Sequence, residues 1–176
     1  MQKVELMSPA GSFESLMAAI KGGCDAVYFG VEQLNMRARA TVNFTMDDLK
    51  EIARRCEAKK IRTYLTLNTI IYDHDLSVVK TLLAKAKEAN ITAVIASDQA
   101  VIAMARGIGM EVHISTQLNI TNIETIRFYS LFADTMVLSR ELSLRQVKNI
   151  TEQIEKEQIK GPNGKLVEIE IFGHGA

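Results

Sequence analysis

The sequence predicts an α/β protein, a (β/α)8 TIM-barrel-like fold truncated after about seven strands, and three observations predict it. Short apolar, strand-like runs alternate with longer segments whose apolar residues recur at helical spacing, the pattern of a parallel sheet with crossover helices. Six such strand–helix pairs are followed by a seventh strand. A closed eight-stranded barrel takes about 250 residues, whereas this chain has 176. A single domain over residues 1–176, incomplete at its C-terminus, is therefore expected, with an open sheet of six or seven strands as the alternative.

Strands are expected over 4–8, 26–30, 61–68, 93–97, 111–115, 135–139 and 167–172, with helices between them. The second helix places Leu49, Ile52, Ala53 and Cys56 on one stripe, and Thr45 with Asp48 has capping-box spacing at its start. Thr121 with Glu124 and Ser143 with Gln146 repeat that spacing before the fifth and sixth helices. The basic run Arg54, Arg55, Lys59, Lys60 and Arg62 closes the second helix, where cations complement the dipole. It therefore reads as a solvated face at the stability end of a barrel. Gly161-Pro162-Asn163-Gly164 reads as a helix stop and tight turn before the last strand.

Composition narrows the function classes. With 47% hydrophobic residues and 21 basic against 21 acidic side chains, the chain has the profile of a soluble globular domain of zero net charge. That balance argues against nonspecific nucleic-acid binding by this segment, which needs a field of excess cations. No apolar run reaches membrane-spanning length and Met1 to Glu5 lack a signal-peptide core, so a cytoplasmic protein with no membrane partner is expected. Cys24 and Cys56 are too few for a zinc or iron–sulfur site, which takes about four ligands, and read as packed hydrophobes; no metal site is expected within the chain.

Chemistry in a barrel sits at the C-terminal ends of the strands. Alternation along each strand points Glu5, Tyr28, Tyr64, Thr66, Asn68, Asp98, His113, Ser115, Gln117, Glu168, Glu170 and His174 inward. So much interior polarity is costly unless the groups satisfy one another or meet a ligand, which implies a polar cavity. Arg140 and Glu141 after the sixth strand, with Arg37 and Arg39 in the loop after the second, are expected around its mouth. Guanidinium groups suit carboxylate or phosphate, so an anionic small molecule is the expected ligand. Plainer readings stand beside these. Asp98 is equally an N-cap for the fourth helix, His113 a satisfied core histidine and His74 a surface-loop residue. There is no His-Glu-x-x-His helix, no Gly-x-Ser-x-Gly elbow, no cysteine near a strand end and no Gly-x-Gly-x-x-Gly pattern.

Glu5-Leu6-Met7-Ser8-Pro9-Ala10-Gly11, Asp25-Ala26-Val27-Tyr28-Phe29-Gly30, Ser115-Thr116-Gln117, Ser139-Arg140-Glu141-Leu142-Ser143 and Phe172-Gly173-His174-Gly175-Ala176 together resemble the collagenase-like peptidase U32 family. The likeness runs the length of the chain. It implies a TIM-like barrel whose His-Gly-Ala motif continues into cysteines downstream of Ala176. It also implies one of two activities: proteolysis, or oxygen-independent hydroxylation of tRNA, rRNA or quinone precursors with an iron–sulfur cluster on those downstream cysteines and prephenate as oxygen source. On the hydroxylase reading, which is favoured, Arg37 and Arg140 hold the anionic donor and Asn68, Asp98, Gln117 and Glu141 orient it. Glu5, Ser8, Tyr28, Arg39 and Ser115 complete the ligand-binding set. His174, Glu141 and Asp98 are the catalytic candidates, with His174 as general acid or base. RNA would be met through other regions. A protease is the alternative and a non-catalytic binding scaffold the second. Unpaired edges at the first and last strands lead one to expect self-association.

Overall fold

The computed structural model describes residues 4–31 and 44–173. The chain divides into two compact units, Met1–Met110 and Glu111–Ala176. The first contains β1 (Met7–Pro9), α1 (Phe13–Lys21), β2 (Ala26–Phe29), α2 (Leu49–Glu57), β3 (Arg62–Leu67), α3 (Leu76–Glu88), β4 (Ala93–Ala96) and α4 (Gln99–Gly107). The second contains β5 (Glu111–Ile114), α5 (Ile123–Tyr129), β6 (Thr135–Val137), α6 (Leu144–Glu157) and β7 (Glu168–Glu170). Strands follow chain order and pair in parallel, β1 to β4 in the first unit and β5 to β7 in the second. These seven parallel strands with intervening helices are the predicted class of fold.

Alternation divides the faces in the first unit. Ala26, Tyr64, Ala93 and Ile95 form one buried cluster, against which Met7 and Tyr28 pack. Residues of opposite parity, Val27, Phe29, Leu65 and Leu67, are at most 2% exposed on the other face. Phe29 meets Phe44 edge-on at 5.8 Å, and Phe44 in turn meets Phe13 of α1 at 5.2 Å, so this second face is the one the helices cover. Leu65 and Leu67 thus point to the helices and Tyr64 and Thr66 to the interior, as the alternation predicts.

Local capping sets the entry of several helices. The Ser143–Gln146 box forms as predicted: the Gln146 backbone N–H donates to Ser143 Oγ at 3.4 Å and the Ser143 N–H to Gln146 Oε1 at 2.9 Å. Thr45 and Asp48 also pair, the Thr45 N–H donating to Asp48 Oδ2 at 2.7 Å, but around a 3-10 turn (Met46–Asp48) that precedes α2. At α5 the cap is Asn122 rather than Thr121. Asn122 Oδ1 accepts from the Thr125 N–H at 3.0 Å, because an amide one residue later reaches the same orphan donors. β1 begins at Met7, not at residue 4, since Val4 and Leu6 are 86% and 58% exposed.

The turn before β7 depends on a missing side chain. A Cβ on Gly161 would stand 2.6 Å from Asp134 Oδ1 and 2.9 Å from the Ala133 carbonyl oxygen, so only glycine lets the chain pass. Asp134 Oδ1 accepts from the Asn163 N–H at 2.9 Å, and Gly164 closes the turn at φ +75°. The turn delivers Glu168 to pair with Thr135. Three members of the basic run over residues 54–62 are engaged locally. Arg54 and Arg55 both pair with Glu51, Arg55 also lies 4.6 Å over the Phe13 ring, and Arg62 pairs with Glu5. Among the described residues no helix is long and apolar enough to cross a membrane.

Candidate functional site

In the first unit the strand exits present Tyr28, Thr66 and Asn68. Tyr28 pairs in register with Pro9 and Tyr64 and packs against the interior cluster. Thr66 is half-buried, but its Oγ1 is fully enclosed and has no hydrogen-bond partner among the described residues. Asn68 follows β3 directly and is half-buried.

Three predicted members leave this set. Glu5 lies two residues before β1, where Tyr64 donates to its Oε1 at 2.8 Å and Arg62, at the first position of β3, pairs with its Oε2. That is the N-terminal end of the strands, so Glu5 ties them together there instead of serving a ligand at their exits. Ser8 pairs with Val27, of the parity opposite to Tyr28, which puts it on the helix-covered face. Asp98 breaks the inward series of Ala93 and Ile95 and caps α4, accepting from the Ala100 N–H at 2.8 Å. Its plainer reading is the one observed. His74 is likewise a loop residue, 79% exposed and stacked on Tyr72 at 5.7 Å.

The second unit gathers more chemistry. His113 is 3% exposed, its Nε2 lies 3.0 Å from Glu111 Oε1, and it pairs in register with Thr135, which pairs with Glu168. Ser115 is buried at the exit of β5, where its Oγ accepts from the Gln117 N–H at 3.3 Å; the Gln117 side chain is exposed. Beyond β6, Ser139 Oγ donates to Glu141, and this bond with the neighbouring Arg140 holds the Glu141 carboxyl below its usual range. The Leu138 N–H donates to the Glu170 carbonyl at 3.0 Å, keeping the exits of β6 and β7 together. Two residues further along each, the Arg140 guanidinium lies 4.7 Å over the Phe172 ring. Glu170 ends β7, half-buried, and burial pushes its carboxyl above the usual range while the His113 imidazole pulls it back.

Arg37, Arg39 and His174 lie outside the described residues. The structure adds Glu170 and Phe172 to the strand-exit set. Alternation had placed Glu170 inward, but nothing in its spacing marked the desolvation that distinguishes it from Glu168. Phe172 gave no polar signal at all.

The implied iron–sulfur cluster finds no ligand set here. Cys24, between α1 and β2, and Cys56, within α2, are both buried free thiols. Burial raises the first and pushes the second to about 11, whereas a cluster takes thiolates. Among the described residues no three His, Cys, Asp or Glu side chains converge as a metal site.

The sequence profile of peptidase family U32 matches residues 11–176. A Porphyromonas gingivalis protein named collagenase is 55% identical over 98% of this chain and 42% of its own length. An uncharacterized protease of Methanocaldococcus jannaschii is 43% identical over 100% of this chain and 42% of its own. The Escherichia coli tRNA hydroxylation protein P is 32% identical over 100% of this chain and 37% of its own. The chain thus spans less than half the length of these relatives. Among solved structures, a U32 peptidase matches with a TM-score of 0.69 at 12% identity, over 100% of this chain and 96% of that one. Tryptophan synthase subunit alpha from Legionella pneumophila matches with a TM-score of 0.59 at 19% identity, over 97% and 73%. Both likenesses concern the fold.

Proposed function

The chain belongs to peptidase family U32, and on that footing we propose that the protein serves RNA hydroxylation, this barrel segment binding the anionic small molecule that the reaction consumes. The observation that carries the reading is Arg140 laid on Phe172 at the exit of β6, beside Ser139 and Glu141. A guanidinium over an aromatic ring is a planar cation whose N–H fork matches a carboxylate edge-on. A dicarboxylate of the prephenate type matches that chemistry. The relatives named tRNA hydroxylation protein P extend the reading to tRNA as the modified substrate.

Peptide-bond hydrolysis would need an activated nucleophile. Neither cysteine suits it, because both are buried with raised thiol pKa values, and the His113 ring is enclosed and engaged by Glu111. A cluster in the whole protein would rest on cysteines outside this sequence, and no step is derived through it. Proteolysis remains the second reading, favoured by the 55% identity to a protein named collagenase.

Two assays separate the readings. Deleting the gene and digesting total RNA to nucleosides for mass spectrometry is expected to show loss of a hydroxylated nucleoside, restored by the wild-type gene and not by Arg140→Ala. Unchanged nucleosides together with cleavage of denatured collagen by the purified full-length protein would establish the protease instead.

A further inference from the structure

The loop leaving the C-terminal end of β3 carries two rings that the fold leaves in water. Tyr72 is 60% exposed and the His74 side chain 79%, yet their planes lie within 2° of parallel with centroids 5.7 Å apart. The backbone fixes where they stand. A 3-10 turn (Asp73–Asp75) runs straight into α3, with the Asp75 N–H donating to the Tyr72 carbonyl at 2.8 Å and the Tyr72 N–H to Asp75 Oδ2 at 3.0 Å. Asp75 Oδ1 also lies 3.5 Å from His74 Nε2, so one carboxylate holds both ring-bearing residues. Ile70, earlier on the same loop, is 75% exposed. An aromatic pair kept in order without burial adds little to the core, and this one follows the strand end at which Thr66 and Asn68 lie.

We propose that Tyr72 and His74 form a stacking platform for an unpaired base of the RNA substrate, at the strand exits of the first unit. The inference rests on the RNA reading given above and names the residues by which this segment touches that substrate. Unstacked bases lie on Tyr and His side chains whatever their identity, because every base has a π-face. The charges of the loop say which part of the RNA is met. Asp73 and Asp75 lie on the turn itself and Lys80 follows on α3, so the local field does not draw in a phosphate chain. The zero net charge of the whole chain agrees, and phosphate contacts fall to other regions of the full-length protein. A base splayed out of its helix reaches the rings while its backbone stays clear of the carboxylates. A proline-rich peptide is the rival occupant, since such peptides also dock on aromatic side chains; a flat base covers a parallel ring pair more fully than a puckered pyrrolidine does.

The test uses the full-length protein and tRNA purified from the gene-deletion strain, with affinity read by filter binding across a salt series. The Tyr72→Ala, His74→Ala double variant is expected to bind about tenfold more weakly than the parent. Its slope of affinity against salt should stay that of the parent, because no phosphate contact is lost. Tyr72→Phe keeps the ring and is expected to bind like the parent, which separates stacking from a damaged fold. A single-stranded RNA dodecamer carrying 2-aminopurine should have its fluorescence quenched by the parent and by Tyr72→Phe, and not by the double variant. Parental tRNA affinity in the double variant, or a flattened salt slope, overturns the proposal and leaves the RNA reading standing. No tRNA binding by the parent, together with unchanged nucleosides in the deletion strain, overturns both. Loss of denatured-collagen cleavage in the double variant with tRNA binding intact would assign the rings to a proline-rich peptide and overturn the proposal as well.

Discussion

Thr66 shows what the interior of β3 costs at the level of one atom. Its Oγ1 is enclosed and without a hydrogen-bond partner among the described residues, whereas Tyr64 one pleat earlier reaches Glu5 at 2.8 Å and so has its hydroxyl satisfied. A buried hydroxyl that gives up water without gaining a partner destabilises the fold, and removing it while keeping its shape is neutral or favourable. Thr66→Val is therefore expected to leave stability unchanged or raise it by up to ~1 kcal/mol, read from urea denaturation midpoints at equal slope. A loss of more than that would mean the hydroxyl has a partner in the folded protein. Tyr64→Phe is the contrasting case. It leaves Glu5 paired with Arg62 alone and is expected to destabilise by about 1 kcal/mol.

At the scale of elements, helix α2 gathers two of its cations on one carboxylate. Glu51 accepts from Arg54 Nε at 2.7 Å and Arg55 Nε at 2.6 Å, and these bonds lower its pKa to about 2. A depressed folded-state pKa means that the contribution is fully present above the ordinary carboxylate range and is lost as pH falls through the folded value. Glu51→Gln is expected to melt below the parent at pH 7 in low salt. The gap should narrow as pH drops from about 4.5 towards 2 and as salt rises, because the pairs are exposed to screening. Circular dichroism melts at the two pH values check this; a gap that persists at pH 2 would assign the effect to packing.

The same scale explains what could be read in advance. Alternation within β3 placed Tyr64 and Thr66 opposite Leu65 and Leu67, since period-two patterning is local. The side of Ser8 was not legible, because it follows from Met7 pairing with Ala26, a register no local pattern reveals. Glu5 was misplaced for a similar reason: its partners lie on β3, with Tyr64 fifty-nine residues away. Asp98 is legible as a cap from its place before an amphipathic run, whereas its interior assignment by parity fails because the inward series of β4 runs through Ala93 and Ile95. Glu170 and Phe172 gained their interest only when β6 and β7 were brought side by side.

At the scale of the whole molecule, charge and apolar exposure act together. The chain carries no net charge and a pI near 6.8, so at neutral pH little long-range repulsion keeps copies apart. At the C-terminal end of α5, Phe128, Leu131 and Phe132 are 58%, 66% and 38% exposed, and the two phenylalanine rings lie 5.7 Å apart. Clustered apolar side chains of this size are an association hazard when electrostatics do not oppose contact. Light scattering on this chain is expected to show an apparent mass that rises with concentration at pH 7. It should fall towards the monomer at pH 9, where net negative charge builds up, and in the Phe128→Ser, Leu131→Ser double variant at pH 7. If the variant associates like the parent while pH 9 still disperses both, the contact lies elsewhere and charge alone controls it. A monomeric mass at every concentration would show that this exposed cluster is too small to hold two copies together.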